Sequence, residues 1–381
     1  MPAVKRLEAF LFRLDPGASV RMAFGGFSER KAVVLRLEDA EGAVGWGEVW
    51  CNFPRYGAEN KLRLIETLVG PALLAGADAS PAAAFHRLSA ALHPMALQTG
   101  EIGPVAACIA GIDLALWDLA ARRAGKPLAD FLFGADAPAS VPAYASGLNP
   151  DGAPERVAAL REAGFSAFKL KVGFGADVDR PNVAAIAAAL RAGERFMIDA
   201  NQSWTLDQAR VAVDAFNPAS LAWIEEPLAV DRPTSEWAEV AALSAAPLAG
   251  GENLYGFAAF DRAIRLGHLR FIQPDVCKWG GITGNFAVAR RALAEGRTYC
   301  PHWLAGGLGL LASAHVLAAV GGPGMLEYDS NPNPFRALLG SPLPDLIDGA
   351  LPLPDGPGLG VEPDMAALAS SLVERVELTA A

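Results

Sequence analysis

The chain has 381 residues, 52% of them apolar, which is more than one ordinary domain core absorbs, so two domains or one barrel with an added domain is expected. Its 32 basic and 42 acidic residues leave a net charge of -10 with no basic run, which argues against nucleic acid and anionic membranes as partners. The four cysteines, Cys51, Cys108, Cys277 and Cys300, form no CxxC pair, and MPAVKRLEAFLFRLDP at the N-terminus has no apolar signal core; a cytoplasmic protein with reduced thiols is expected.

Residues 1 to about 50 read as strands and turns. KAVVLRLEDAEGAVGWGEV is two β-like runs about a turn at Glu41-Gly42. From about 60 to 133 the spacing is helical, stopping near Gly125 and restarting after Pro127. Residues 1–135 therefore predict a small α+β domain. From about 140 short β-like runs alternate with Ala-rich helical stretches. The runs are VPAYASG, AFKLKVG, RFMIDAN, AWIEEP, PLAGGEN, RFIQPDV, TYCPHW and MLEYD. Eight strands at near-regular spacing predict a β/α barrel over residues 136–335. A doubly wound open sheet is the competing architecture, but KVGFGAD lacks the full glycine fingerprint of a phosphate loop. His302 to Leu326 carries no charged residue, yet its glycines break any run long enough to cross a membrane. The Pro- and Gly-rich segment 336–381 is expected to return to the first domain.

In FKLKVG the strand alternation puts Lys169 and Lys171 on one face. Either the pair sits on a solvated edge, or one cation lowers the pKa of the other and makes a base of it. Acidic residues recur at the strand ends: Asp199 on the third, Glu225 and Glu226 on the fourth, Glu252 on the fifth, Asp275 on the sixth and Glu327 in the eighth, with His302 ending the seventh. Singly, each could cap the next helix. In a barrel these ends share one mouth, and Asp199, Glu225 and Glu252 there need a cation. Hard oxygen donors with open positions suit Mg²⁺. A lone His302 near an apolar stretch is ordinarily structural, but Asp275 on the neighbouring strand could orient its ring.

Together with AGIDLALWDLAARRAGKPLADFLFG, the motifs KLKVG, IDANQSW, IEEP, GGEN, QPDVCKWGGIT and PHW resemble, in order, the mandelate racemase branch of the enolase superfamily. The resemblance implies a modified TIM barrel, (β/α)7β, with an N-terminal α+β capping domain completed by the C-terminal tail. It implies one Mg²⁺ per subunit on Asp199, Glu225 and Glu252. Lys171 would be the base on one face of a small carboxylate substrate, with Lys169 contacting the carboxylate and lowering the pKa of Lys171. His302, paired with Asp275, would be the acid or base on the other face. Glu327 would hydrogen-bond the intermediate, and Asn201 a substrate hydroxyl. Lys278 matches the base of the muconate-lactonising branch, although GGEN and PHW favour the racemase branch. Lid loops at 21–30 and 50–57 would bring Phe24 and Arg55 to the substrate; their aromatics could equally pack the domain interface. The implied chemistry is proton abstraction next to a carboxylate, most simply dehydration of a sugar acid, with racemisation, epimerisation or lactone cycloisomerisation as alternatives. A homo-oligomer, dimer to octamer, is expected. A barrel that binds without catalysis is the reading from a different class.

Overall fold

The computed structural model describes residues 2–15, 20–22, 25–27, 29–78, 80–134 and 136–380. The strands Val4–Leu14, Arg30–Asp39 and Val44–Val49 form an antiparallel sheet, with Leu372–Thr379 paired to the outer edge of the first. The period of two decides what each face covers. Leu7, Ala9 and Leu11 bury against the helices of the first domain, while Phe10 and Phe12 join the core shared with the barrel. The turn between the second and third strands is held by Asp39, whose Oδ1 accepts from the N–H groups of Glu41 and Ala43.

The helices Gly57–Leu64 and Ile102–Arg123 cover this sheet, and Pro81–Thr99 packs on the second of them. Ile102–Arg123 is long and apolar enough to cross a membrane, but most of it is buried between the sheet and the barrel. It sits unusually close to the strand Val44–Val49. A β-carbon on Gly47 would lie 2.2 Å from the carbonyl oxygen of Gly111, so only a bare backbone fits there.

The barrel strands are Ser140–Leu148, Ala167–Lys171, Arg195–Asp199, Trp223–Glu225, Leu248–Gly250, Leu269–Ile272, Thr298–Tyr299 and Leu326–Asp329. They lie parallel in the order seven to one and then eight, with seven helices in the connections. The expected α/β barrel with an α+β domain is the observed architecture. Tyr144, Ala167, Met197, Trp223, Ala249, Cys300 and Met325 fill the barrel interior. Two residues further along their strands, Lys169, Asp199 and Glu225 face the same interior by alternation. The solvated edge reading of the lysines is thereby excluded: Lys169 is 1% exposed and Lys171 4%.

Four positions differ from the expectation. Asp275 and His302 do not end their strands, which stop at Ile272 and Tyr299, Glu252 lies beyond Gly250, and Glu226 beyond Glu225. Ladder bonds continue through the N–H groups of Gln273 and Cys300, and then Pro274 and Pro301 have no N–H to offer. The chain leaves the sheet in parallel at both places, and the N–H of His302 donates to the carbonyl of Pro274.

Buried carboxylates tie the first domain to the barrel. Glu48 accepts from the N–H groups of Gly306 (2.7 Å) and Gly309 (3.0 Å), at the start of the helix Gly307–Val320. Asp113 accepts from the N–H and hydroxyl of Thr283, and Arg30 pairs with Asp329 at 2.7 Å. Burial pushes the Glu48 carboxyl from 4.5 up to about 7, against the lowering effect of its N–H donors. Asp113 is likewise pushed up to about 7 by burial. The folded protein then keeps these protons where the unfolded chain has released them. Their contribution is complete below the unfolded pKa and is lost as pH rises to about 7. In the metal-free protein, Glu48→Gln should flatten part of the fall in the urea midpoint between about pH 4.5 and 7. Identical slopes in the two proteins would show that Glu48 does not titrate there.

Candidate active site

The strand ends build the floor of the site. Lys171 pairs in register with Asp199, and Asp199 with Glu225, so the three reach the same height. One layer lower, the Lys169 ammonium is 2.5 Å from Glu225 Oε1 and 2.8 Å from Glu327 Oε1. Burial disfavours its charge, but the two carboxylates outweigh this and hold its pKa well above the usual lysine range. Lys169 is therefore a neutralised cation rather than a bare neighbour of Lys171. The Lys171 ammonium donates to Asn201 Oδ1 at 2.8 Å and lies 3.8 Å from Asp199 Oδ2. Asn201 is fixed in turn, its Nδ2 and N–H both donating to Asp199 at 2.8 Å.

On the other side of the mouth, His302 Nδ1 is 2.8 Å from Asp275 Oδ2 and Nε2 is 2.5 Å from Glu252 Oε2. Asp275 Oδ1 also accepts from the N–H groups of Cys277 and Lys278, which locks the carboxylate that orients the ring. Burial works against the imidazolium, yet Glu252, Glu327 and Asp275 together raise the pKa of His302 well above its usual value. Glu327 accepts from Ser146 Oγ and from the N–H of Trp303. The Lys278 ammonium reaches Asn253 Oδ1 (2.9 Å) and Glu252 Oε1 (3.3 Å) and lies 4.7 Å from the centre of the Trp50 ring.

These groups surround a cavity of about 220 Å³ lined by Lys171, Asp199, Asn201, Glu226, Glu252, Asn253, Lys278, His302 and Glu327. Trp50, Asn52 and Phe53 of the first domain close it, and Asn52 Nδ2 donates to the carbonyl of Leu304 at 2.7 Å. Lys169 and Asp275 act from behind this lining. Two expected residues are elsewhere. Arg55 is 89% exposed at its side chain and faces Glu29, outside the cavity. Phe24 lies outside the described residues.

The Glu225-Glu226 doublet divides in an unexpected way. Glu225 points down the barrel, taking Lys169, Trp223 Nε1 (3.0 Å) and Gln273 Nε2 (2.7 Å), and the cavity wall is Glu226. In an extended strand one of two neighbours would face outward. Glu226 has φ +40°, which turns the chain so that both carboxylates stay inside. Burial, with repulsion from Glu252 and Asp199, pushes the Glu226 carboxyl well above its usual range. Trp50 and Asn52 fall in the expected lid loop at 50–57 without being singled out there, Asn253 is not singled out within GGEN, and the turn at Glu226 has no sequence signal of its own.

Among the described residues no three carboxylate, imidazole or thiol side chains already converge on a common point as metal ligands. Each carboxylate is held by a protein donor instead: Glu252 by His302 and Lys278, Glu225 by Lys169 and Asp199 by Asn201. The donor set nevertheless fits a hard divalent cation. Asp199, Glu226 and Glu252 repel one another across one cavity, and a cation there would remove the cost that Glu226 records.

Residues 7–134 match the family model of the mandelate racemase / muconate lactonizing enzyme N-terminal domain, and residues 153–367 that of the enolase C-terminal domain-like family. The D-galactarolactone cycloisomerase of Agrobacterium fabrum is 32% identical, covering 93% of this chain and 94% of its own. A crystal structure of a mandelate racemase/muconate lactonizing enzyme from Bordetella bronchiseptica superposes with a TM-score of 0.91 at 48% identity, over 97% of this chain and 99% of that one. A racemase from Streptomyces coelicolor with bound magnesium superposes with a TM-score of 0.87 at 29% identity, over 97% and 100% of the two chains. Both halves of the chain, and the cavity between them, thus belong to an enzyme of the enolase superfamily, in its mandelate racemase and muconate lactonizing enzyme family.

Proposed function

We propose that this enzyme removes the proton next to the carboxylate of a sugar acid and then expels the β-oxygen, so that the net reaction is dehydration. The observation that carries this reading is the lining of one cavity by Lys171 on the second strand and His302 beyond the seventh, with a carboxylate cluster between them. Asp199, Glu252 and the Glu225-Glu226 pair would hold Mg²⁺, as one structural relative holds magnesium. Bound there, the ion would withdraw electrons from the substrate carboxylate and so stabilise the dianion formed on proton loss.

The chain's own groups supply the rest. Lys171, in its neutral form, takes the α-proton onto Nζ, and Asn201 Oδ1 fixes the direction of that nitrogen. The C–H electron pair moves into the enediolate. Lys169 stands below the reacting carboxylate and offers its ammonium to the growing negative charge, and Glu327, 2.8 Å from that ammonium, holds it in place. His302, held as imidazolium by its carboxylate neighbours, gives its proton to the departing hydroxyl, which leaves as water. The enol left behind becomes a 2-keto-3-deoxy acid by tautomerisation. Trp50 and Phe53 exclude bulk water from above.

A second reading is favoured by the cycloisomerase relative. The same enediolate would expel a lactone ring oxygen, and the product would keep the mass of its substrate. A screen of acid sugars and their lactones by mass and NMR separates the two readings, because only dehydration loses water.

Replacing His302 by Asn should leave Lys171 able to remove and return its own proton. Exchange of the α-hydrogen in deuterated water should survive, while product formation falls by about 1,000-fold. Near-normal turnover in that variant would make the His302–Asp275 pair structural and move the role to Lys278. Glu252→Gln should weaken Mg²⁺ binding, measured by calorimetry, by at least about 10-fold and lower turnover with it. Full activity after exhaustive chelation would remove the metal from the mechanism.

A further inference from the structure

A second cavity, of about 350 Å³, adjoins the first and shares Trp50, Phe53 and Lys278 with it. It opens between the loop at 50–57, the helix Gly57–Leu64 and the start of the helix Ile102–Arg123. Lys61 lines it and is 3% exposed. Its ammonium makes one long hydrogen bond, 3.4 Å to the carbonyl of Gly57, and lies 5.4 Å from the centre of the Trp50 ring. Among the described residues no carboxylate forms an ion pair with it, whereas Lys278, near the same ring, has Glu252. Glu101 also faces this cavity, and its charge favours the Lys61 ammonium weakly, but it forms no ion pair with it and its Oε1 accepts from Asn60 Nδ2 at 3.0 Å.

A buried ammonium without an anion is costly, and one resting on an aromatic ring recovers only part of that cost. Burial, and to a lesser degree the charge of Lys278, keep the Lys61 ammonium below the usual lysine range. What Lys61 lacks is an anion in direct contact, and the cavity beside it has room for one.

We propose that this second cavity receives the far end of the substrate and that Lys61 pairs there with a second carboxylate, which makes sugar diacids the preferred substrate class over monoacids. The inference rests on the reaction proposed above and adds to it the chemistry of the distal end. Trp50 lines both chambers: Lys171 and His302 would meet the reacting carbons in the first, and Lys61 the distal carboxylate in the second. Lys61 touches no reacting atom and sets which substrate is held.

The test is a comparison of kcat/KM for the stereoisomeric six-carbon sugar diacids and the matching monoacids, with galactarate and galactonate as the first pair. The wild-type enzyme should favour the diacid of the accepted configuration. In Lys61→Met the diacid-to-monoacid ratio should fall by about 100-fold, mostly through KM, because one partner of a buried charge pair is lost. Lys61→Arg should recover much of the ratio, which a lysine that only packs on Trp50 would not require. A wild-type preference for monoacids, or an unchanged ratio in Lys61→Met, overturns the proposal. The wild-type comparison decides the matter alone where a variant does not fold. Absence of α-hydrogen exchange with every acid of both classes would instead overturn the reaction itself, and it would be seen before any Lys61 variant is made.

Discussion

Charge balance inside a dry barrel mouth governs this structure. Asp199, Glu225, Glu226 and Glu327 are buried there, with Glu252 beside them, and Lys169, Lys171, Lys278 and His302 are buried among them. No ordinary core tolerates that many ionisable groups unless each has a partner of opposite sign or a good hydrogen bond. The hub is Lys169, clamped between Glu225 and Glu327, which joins the fourth and eighth strands through the interior of the barrel. Over the whole mouth these five carboxylates face three lysines and one imidazolium, and that excess is what a divalent cation would balance.

The first domain depends on the same balance from outside. Its loop supplies Trp50 and Phe53, but its position is set lower down, where Glu48 caps the helix that follows the His302 loop. The helix Gly307–Val320 is nearly all apolar, so its free N–H groups have no water to turn to, and the acceptor must come from another element. A single carboxylate therefore holds both the lid and the loop carrying one catalytic candidate. Closure of the site follows from docking of the domains as much as from loop length.

The barrel was readable from sequence because each strand is short, rich in apolar residues and ended by a polar motif, so period and punctuation agree. Lys169, Lys171 and Asp199 were readable for the same reason: alternation in an extended strand decides their direction. Reading became unsafe where the chain stops being extended. Glu226 faces the cavity because of one positive φ, which no pattern of residue types announces. Asp275 and His302 lie past prolines that end the ladder, so their distance from the strand was underestimated. The charge of Arg55 and its aromatic neighbours point to the site, but it stands in solvent beside Glu29. Lys61 looked like any helix lysine, and only packing against Trp50 and the helix Ile102–Arg123 reveals that it is buried.

The edge strand Leu372–Thr379 has a consequence for assembly. Val4–Leu14 is made long before Leu372–Thr379 and is paired on one side by Arg30–Asp39 within a short stretch of chain. Among the described residues its other side pairs with Leu372–Thr379, after the whole barrel has been made. Until then the early sheet carries an open row of backbone donors and acceptors, the usual template for unwanted pairing between chains. Closing that edge is a contact of very long sequence separation, and such contacts form slowly. The late strand becomes the outer edge of the sheet in its turn, and its Glu374, Arg375 and Glu377 give that edge the charges that discourage such pairing.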